Sequence, residues 1–378
     1  MLLWAVMLRC VEPIATIAAA LSFKDPFVCP LHKQHAADAA KRRLAAASLS
    51  DHCAVYNAVK GWEAAVRSGG GAGDRYVHDN FLSRATLQML QSMRRQFIDI
   101  LCSAGFLPPS PAAGAPGAIL LGGSAANENS SQEDVVKAVV AAGLYPNVIA
   151  VRKHGGRPSS RPPRLSVRGI GRVELHPKSA LAGMTALLQP YMVYHTLVRS
   201  SACFVHDATC VPMMALVLFG GKLVAQQAGA GGAVTLTLDG WLTVHVAADS
   251  AACVMALTQR MQHCLQAKFT TPALDVYAPS PPVSARVAQS NLPHRYGDSG
   301  FAAISRETLQ LLRCSFSMAR AAAAVTHGSA TTEDAGSCSD DDSRATTAHL
   351  QPVQGFMTRT FQIGGGGGGS DAMDALNE

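Results

Sequence analysis

Between Ile149 and Ser200 the chain carries nine lysines and arginines and a single acid, Glu174. The cations are Arg152, Lys153, Arg157, Arg161, Arg164, Arg168, Arg172, Lys178 and Arg199. Guanidinium and ammonium groups at this density suit one task, neutralising the phosphates of a polyanion and releasing its counterions. A solvated basic face is the competing account. Within the block, His176-Pro177-Lys178-Ser179 sets an ammonium beside a hydroxyl, a pair able to hold one phosphate. Alternatively Pro177 only makes a turn that Ser179 caps. In Val193–Ser201, regular alternation puts Val193, His195, Leu197 and Arg199 on one face and Tyr194, Thr196 and Val198 on the other. His195 and Arg199 then present themselves together, although a core histidine fits the same pattern.

Other residues have the right type but weaker spacing. Arg94 and Arg95 flank an apolar stripe and suit either a polyanion contact or a surface ion pair. Ser50-Asp51-His52 has the composition of a hydrolase triad. Consecutive residues on a helix point apart, however, so a cap and interhelical hydrogen bonds are the better account. Trp241 follows a turn and suits either base stacking or a buried position. The ten cysteines include no C-x-x-C pair, which argues against a zinc site and for buried free thiols in a reducing compartment. A phosphate-cradling loop needs G-x-x-x-x-G-K-[ST]. Here Gly220-Gly221-Lys222 is followed by Leu223, and Leu216 stands where the first glycine belongs.

The elements that must hold these residues fall into two textures. Apolar helices are expected at 2–10 and 13–22, with Pro13 at the first position of the second. Helices follow at about 34–47 and 51–67, the latter capped by Ser50 or Asp51. Ser83 opens and Gly105 closes a helix with Leu87, Leu90, Phe97, Ile98 and Leu101 on one face. A Pro/Gly/Ala-rich stretch at 108–130 reads as a flexible loop, and a last helix spans about 131–142. From residue 148 the runs 148–153, 164–176, 191–206, 211–221, 233–239 and 241–246 are β-branched and bounded by Gly, Pro or Asp. So many strands without intervening helices suggest a small closed barrel. A helix at 248–268 packs behind it, then a Pro-rich insert and a helix at 301–325.

The 378 residues are 48% hydrophobic and 15% charged, enough to bury a core, and the formal net charge is +6. From Ser329 to Glu378 there are two basic and eight acidic residues and a run of six glycines, which reads as a disordered tail. Near the start, Arg9 and Glu12 interrupt the apolar run. It therefore resembles neither a signal peptide nor a membrane span, and a secreted or membrane protein is not expected.

Several segments carry a resemblance. LRCVEPIATIAAALSFKDPFVCP (8–30), SDHCAVYNAVKGW (50–62), NFLS (80–83), LQMLQSMRRQF (87–97) and VVKAVVAAGLYPNV (135–148) resemble, in order, the ratchet-like helicase-associated domain of DEAH-box RNA helicases. HPKS (176–179), VYHTLVRSS (193–201), LVLFGG (216–221) and LDGW (238–241) are similar to the oligonucleotide-binding (OB) barrel that follows it in that family, closest to the G-quadruplex-resolving branch. The resemblance implies an α+β chain with a ratchet-like domain at 1–147, an antiparallel OB-type barrel with its packing helix at 148–268, an insert and C-terminal helix at 269–327, and a tail at 328–378. It also implies that the ATPase motor, two RecA-like domains and a winged helix, precedes this region. No DEAH tetrapeptide occurs here, so ATP and Mg²⁺ are expected to belong to the motor, and this chain alone is expected to be inactive. The expected task is to grip single-stranded or structured RNA, G-quadruplexes among them, through Arg152, Lys153, Arg168, Lys178, Ser179, His195, Arg199, Arg94 and Arg95. Further implied partners are the RecA-like core and a glycine-rich-motif activator, in the nucleus or cytoplasm. A stand-alone RNA-binding or adaptor module is the alternative.

Overall fold

The computed structural model describes residues 1–45, 48–108, 121–152, 162–185, 187, 189–228 and 233–276. All of these lie in one unit, Met1–Ala330, and none in the second, Thr331–Glu378. Lys153, Arg157, Arg161, the expected helix at 301–325 and the tail fall outside the described residues.

Helices come first: α1 (Leu2–Met7), α2 (Val11–Ser22), α3 (Gln34–Ala45), α4 (Asp51–Ser68), α5 (Ala72–Asp79), α6 (Arg84–Ser103) and α7 (Glu133–Leu144). Ser50 and Ser83 cap α4 and α6, their hydroxyls accepting from the amides of Cys53 and Thr86. Helix α5 has no apolar stripe in sequence to announce it. It starts after Gly69, Gly70 and Gly71, all at positive φ, a run of left-handed backbone that side chains disfavour. The apolar α2 lies at the centre, where Ile14 and Ile17 join Met7, Leu8, Val135 and Val139 in one buried cluster. Ala58, Val59 and Trp62 of α4 meet Leu87 and Leu90 of α6 in another.

The stretch expected to be a flexible loop is anchored over its described C-terminal part. Asn127 Oδ1 accepts from the Glu12 amide at 2.7 Å, and Asn129 Nδ2 donates to the Leu8 carbonyl at 2.9 Å. These two buried amides complete the turn between α1 and α2.

Strands β1 (Val148–Arg152), β2 (Arg164–Val167), β3 (Gly171–Leu175), β4 (Tyr191–Arg199) and β5 (Cys203–Val211) close a barrel in the order β1-β2-β3-β5-β4. Ile149, Val167, Val173, Met192, Tyr194, Val205 and Cys210 fill it. The barrel is not antiparallel throughout. A ring with an odd number of strands must contain a parallel pair, and here β5 returns beside β3 in the same direction.

Two further expectations change after the barrel. The run at 211–221 is a helix, α8 (Met213–Phe219), not a strand; a short apolar run buried on every side has no period to tell the two apart. Gly220 ends it where a Cβ would run into the Leu216 carbonyl oxygen. Strands β6 (Leu223–Ala228), β7 (Ala233–Leu238) and β8 (Leu242–Ala247) then form a separate three-stranded sheet instead of joining the barrel. Helix α9 (Ala248–Thr270) packs on that sheet and on α8, not behind the barrel. Among the described residues, no helix is long and apolar enough to cross a membrane, and the eight cysteines are free thiols.

Candidate nucleic-acid interface

Strand register decides which cations share a surface. Arg152 on β1 stands opposite Arg164 on β2, and both are exposed. Extending the register one residue beyond the Leu165–Val173 pair puts Arg164 in line with Glu174, which pairs with Phe204 on β5; Phe204 in turn faces Val198 on β4. Directly opposed residues lie on the same face of a sheet. Arg152, Arg164, Glu174, Phe204 and Val198 therefore form one row around the outside of the barrel. Like charges placed opposite each other destabilise a strand pair, and no described carboxylate answers Arg152. Arg172 leans on Glu174 at 3.3 Å, and a cavity of about 460 Å³ opens here between Arg164, Arg172, Leu181 and Met184.

The next row is aromatic and polar. His176, just past β3, stacks on His206 with ring centroids 4.1 Å apart, and Phe204 meets His176 edge-on at 6.2 Å. Thr196 stands opposite His206. Burial, then His206 and Lys178 beside it, lowers the pKa of His176 and favours its neutral ring. Among the described residues no third ligand joins the two imidazoles to hold a metal. Lys178 is exposed beside them, its amide 3.3 Å from His176 Nδ1. Phe204 and His206 carry this surface, yet sequence reasoning missed both; alternation in FVHD was the available signal.

Three expected contacts are corrected. Ser179 is buried, and its hydroxyl donates to Asp51 Oδ2 at 2.6 Å, so it holds the fold together and offers nothing to a phosphate. Arg94 is 3% exposed, donates to Thr16 Oγ1 at 3.0 Å and is ion-paired with Glu63; it is an internal strut, whereas Arg95 is exposed. His195 and Arg199 do not act together. Strand β4 buries Met192 and Tyr194 in the barrel, then half-buries Leu197, so the face changes near His195, where the pairing register skips a residue and Asp207 takes a left-handed φ of 53°. Arg199 is exposed at the far end of the strand, four residues or about 13 Å away. Arg168 is exposed but engaged: it donates to the Asp239 carbonyl at 3.2 Å and lies 5.7 Å over the Trp241 ring, which meets Tyr191 edge-on. Trp241 is thus half-buried between barrel and sheet.

Ser50-Asp51-His52 forms a seam between helices and barrel. Asp51, 1% exposed, accepts from Ser179 Oγ, from the Ala180 amide at 2.7 Å and from the Ala208 amide at 3.0 Å. Thr209 Oγ1 lies 2.7 Å from Ser50 Oγ and 2.6 Å from His52 Nδ1. Burial lowers the His52 pKa to about 4, so the ring is neutral. Lys41 sits 3.1 Å from Asp25 and 3.8 Å from Asp51. Burial works against its charge, but Asp25, Asp51 and Asp207 outweigh that and raise its pKa.

Residues 1–55 match the family described as the ratchet-like helicase-associated domain (HA2), and residues 136–223 match the oligonucleotide/oligosaccharide-binding (OB)-fold. The ATP-dependent DNA/RNA helicase DHX36 of Bos taurus is 36% identical over 276 residues, covering 72% of this chain and 26% of that protein. The DExH-box ATP-dependent RNA helicase DExH1 of Arabidopsis thaliana is 34% identical over 276 residues, 73% of this chain and 26% of its own length. The putative ATP-dependent RNA helicase DHX57 of Mus musculus is 33% identical over 296 residues, 71% and 21%. The chain thus spans about a quarter of the length of these relatives.

Proposed function

The chain belongs to the DEAH-box RNA helicases through their C-terminal helicase-associated and OB-fold regions, and on that premise we propose that it grips single-stranded RNA for an ATP-driven motor. The observation that supports this most is the outer barrel row, where Arg152 and Arg164 oppose each other and run on to Phe204, with His176, His206 and Lys178 alongside. Arg152, without a carboxylate among the described residues, and the exposed Lys178 suit phosphates, and half-buried rings beside them can accept bases of any sequence. ATP and Mg²⁺ would be bound by the motor, since no loop here has the sequence of a phosphate cradle. The RecA-like core, structured RNA such as G-quadruplexes, a glycine-rich activator, and a nuclear or cytoplasmic location belong to the same proposal.

Fluorescence anisotropy of a labelled single-stranded oligonucleotide, repeated at several salt concentrations, tests it. Each phosphate contact on a single strand contributes about −0.7 to the slope of log K against log salt. Lys178→Ala, Arg152→Ala and Arg199→Ala should each weaken binding to all sequences and flatten that slope by up to this amount. If all three bind like wild type with an unchanged slope, the barrel surface is not where RNA is held.

A further inference from the structure

At the seam between α2, α4 and the barrel lies a second cavity, of about 170 Å³, whose apolar lining is Ile17, Ala20, Leu21, Val55 and Phe23. Its polar lining is His52, His195, Asp207, Asp51, Lys24 and Asp25. At about 30 Å³ per water, the space holds a group several times that size. His52 is 2% exposed and its Nε2 has no hydrogen-bond partner, although Nδ1 is fixed by Thr209. A buried polar atom left in this state is uncommon and calls for an explanation. Phe23, which lines the cavity, is 50% exposed, so its ring is accessible to a base.

We propose that this seam cavity receives one unstacked nucleobase of the bound strand, stacked on Phe23 and read along its edge by His52 Nε2 and Asp207. The proposal rests on the RNA-gripping function and adds the place where a base is taken. A lining that combines apolar side chains with hydrogen-bonding ones suits a flat heterocycle with hydrogen-bonding edges. Charge argues against a bare phosphate: Asp25, Asp51 and Asp207 crowd the cavity, and Lys41 is already shared between Asp25 and Asp51. A neutral imidazole supplies one donor or one acceptor, according to its tautomer, and a carboxylate supplies acceptors. The cavity also lies one residue along β4 from the outer barrel row. His195 Nδ1 lies 3.1 Å from Thr196 Oγ1, and Thr196 faces His206 of the imidazole stack.

The probe is an oligouridylate carrying one central 2-aminopurine, whose emission changes when its ring moves between stacks. With the full chain, binding should change that emission. Phe23→Ala, at a half-exposed position, should weaken binding by about fivefold to a hundredfold, the loss expected for one stacked base, with the salt slope unchanged. Asp207→Asn keeps the shape and tolerates the left-handed backbone. It should shift the preference among oligonucleotides that differ only at the central base. Salt-dependent binding with a silent reporter and wild-type affinity in both variants overturns the proposal, keeps the gripping function and leaves the cavity to a protein side chain. A flat anisotropy titration with wild-type protein refutes the gripping function as well.

Discussion

Replacing Asp51 by alanine should loosen the seam between the helical part and the barrel. Asp51 is 1% exposed, and its carboxylate takes two backbone amides, Ala180 and Ala208, and the Ser179 hydroxyl. Asp51→Ala leaves both amides buried without partners, at about 1–3 kcal/mol each. Lys41 loses one of its two ion-pair partners; a fully broken buried pair costs about 3–5 kcal/mol, and the surviving 3.1 Å contact to Asp25, with Asp207 nearby, reduces that share. Together these come to about 4 kcal/mol, a large part of the roughly 5–15 kcal/mol that holds a typical domain folded. Asp51→Asn keeps the volume but sets an NH₂ group against a backbone N–H, and about half the loss is expected. Ser179→Ala should cost about 1–2 kcal/mol and leave the RNA salt slope unchanged, since its hydroxyl points at Asp51. Urea unfolding followed by tryptophan emission and far-ultraviolet circular dichroism measures all three. The double variant Asp51→Ala/Ser179→Ala should be less destabilised than the sum of the singles, because they share one hydrogen bond. If Asp51→Ala unfolds within 1 kcal/mol of wild type, the carboxylate is not the seam.

Two other outcomes follow from buried charge and burial. His52 has its pKa lowered to about 4 by burial, against Asp51, with His195 and Lys41 acting in the same direction as burial. The unfolded chain, at about 6.5, therefore binds the proton first as pH falls, and stability is lost between those two values. From pH 7 to 5 this amounts to about 2 kcal/mol, which should disappear from the pH profile of His52→Asn. Asp207, its pKa raised by burial, slopes the opposite way, so only the difference between wild type and variant carries the signal. Arg94→Ala should cost about 3 kcal/mol by stranding Glu63 while RNA affinity stays the same, and Arg95→Ala should leave stability unchanged, both measurable by urea unfolding and anisotropy.

Much of the architecture was legible in the residues because it depends on local rules. Ser50 and Ser83 announced their helices through capping, and the stripe from Leu87 to Leu101 announced α6 through its period. The basic block from Arg152 to Arg199 was legible as a concentration of cations, and ordered motifs in both halves marked the family. Tertiary structure alone decided how charged residues were divided between surface and interior. Arg94 and Arg95 are neighbours of the same charge, yet a helix turns successive residues by about 100° and sends one to Glu63 and the other to water. Lys178 and Ser179 part in the same way, because an aspartate 128 residues earlier accepts the serine hydroxyl. Only barrel closure brings His176 onto His206 and Arg164 towards Phe204, since strand register is set by long-range pairing that no local spacing records.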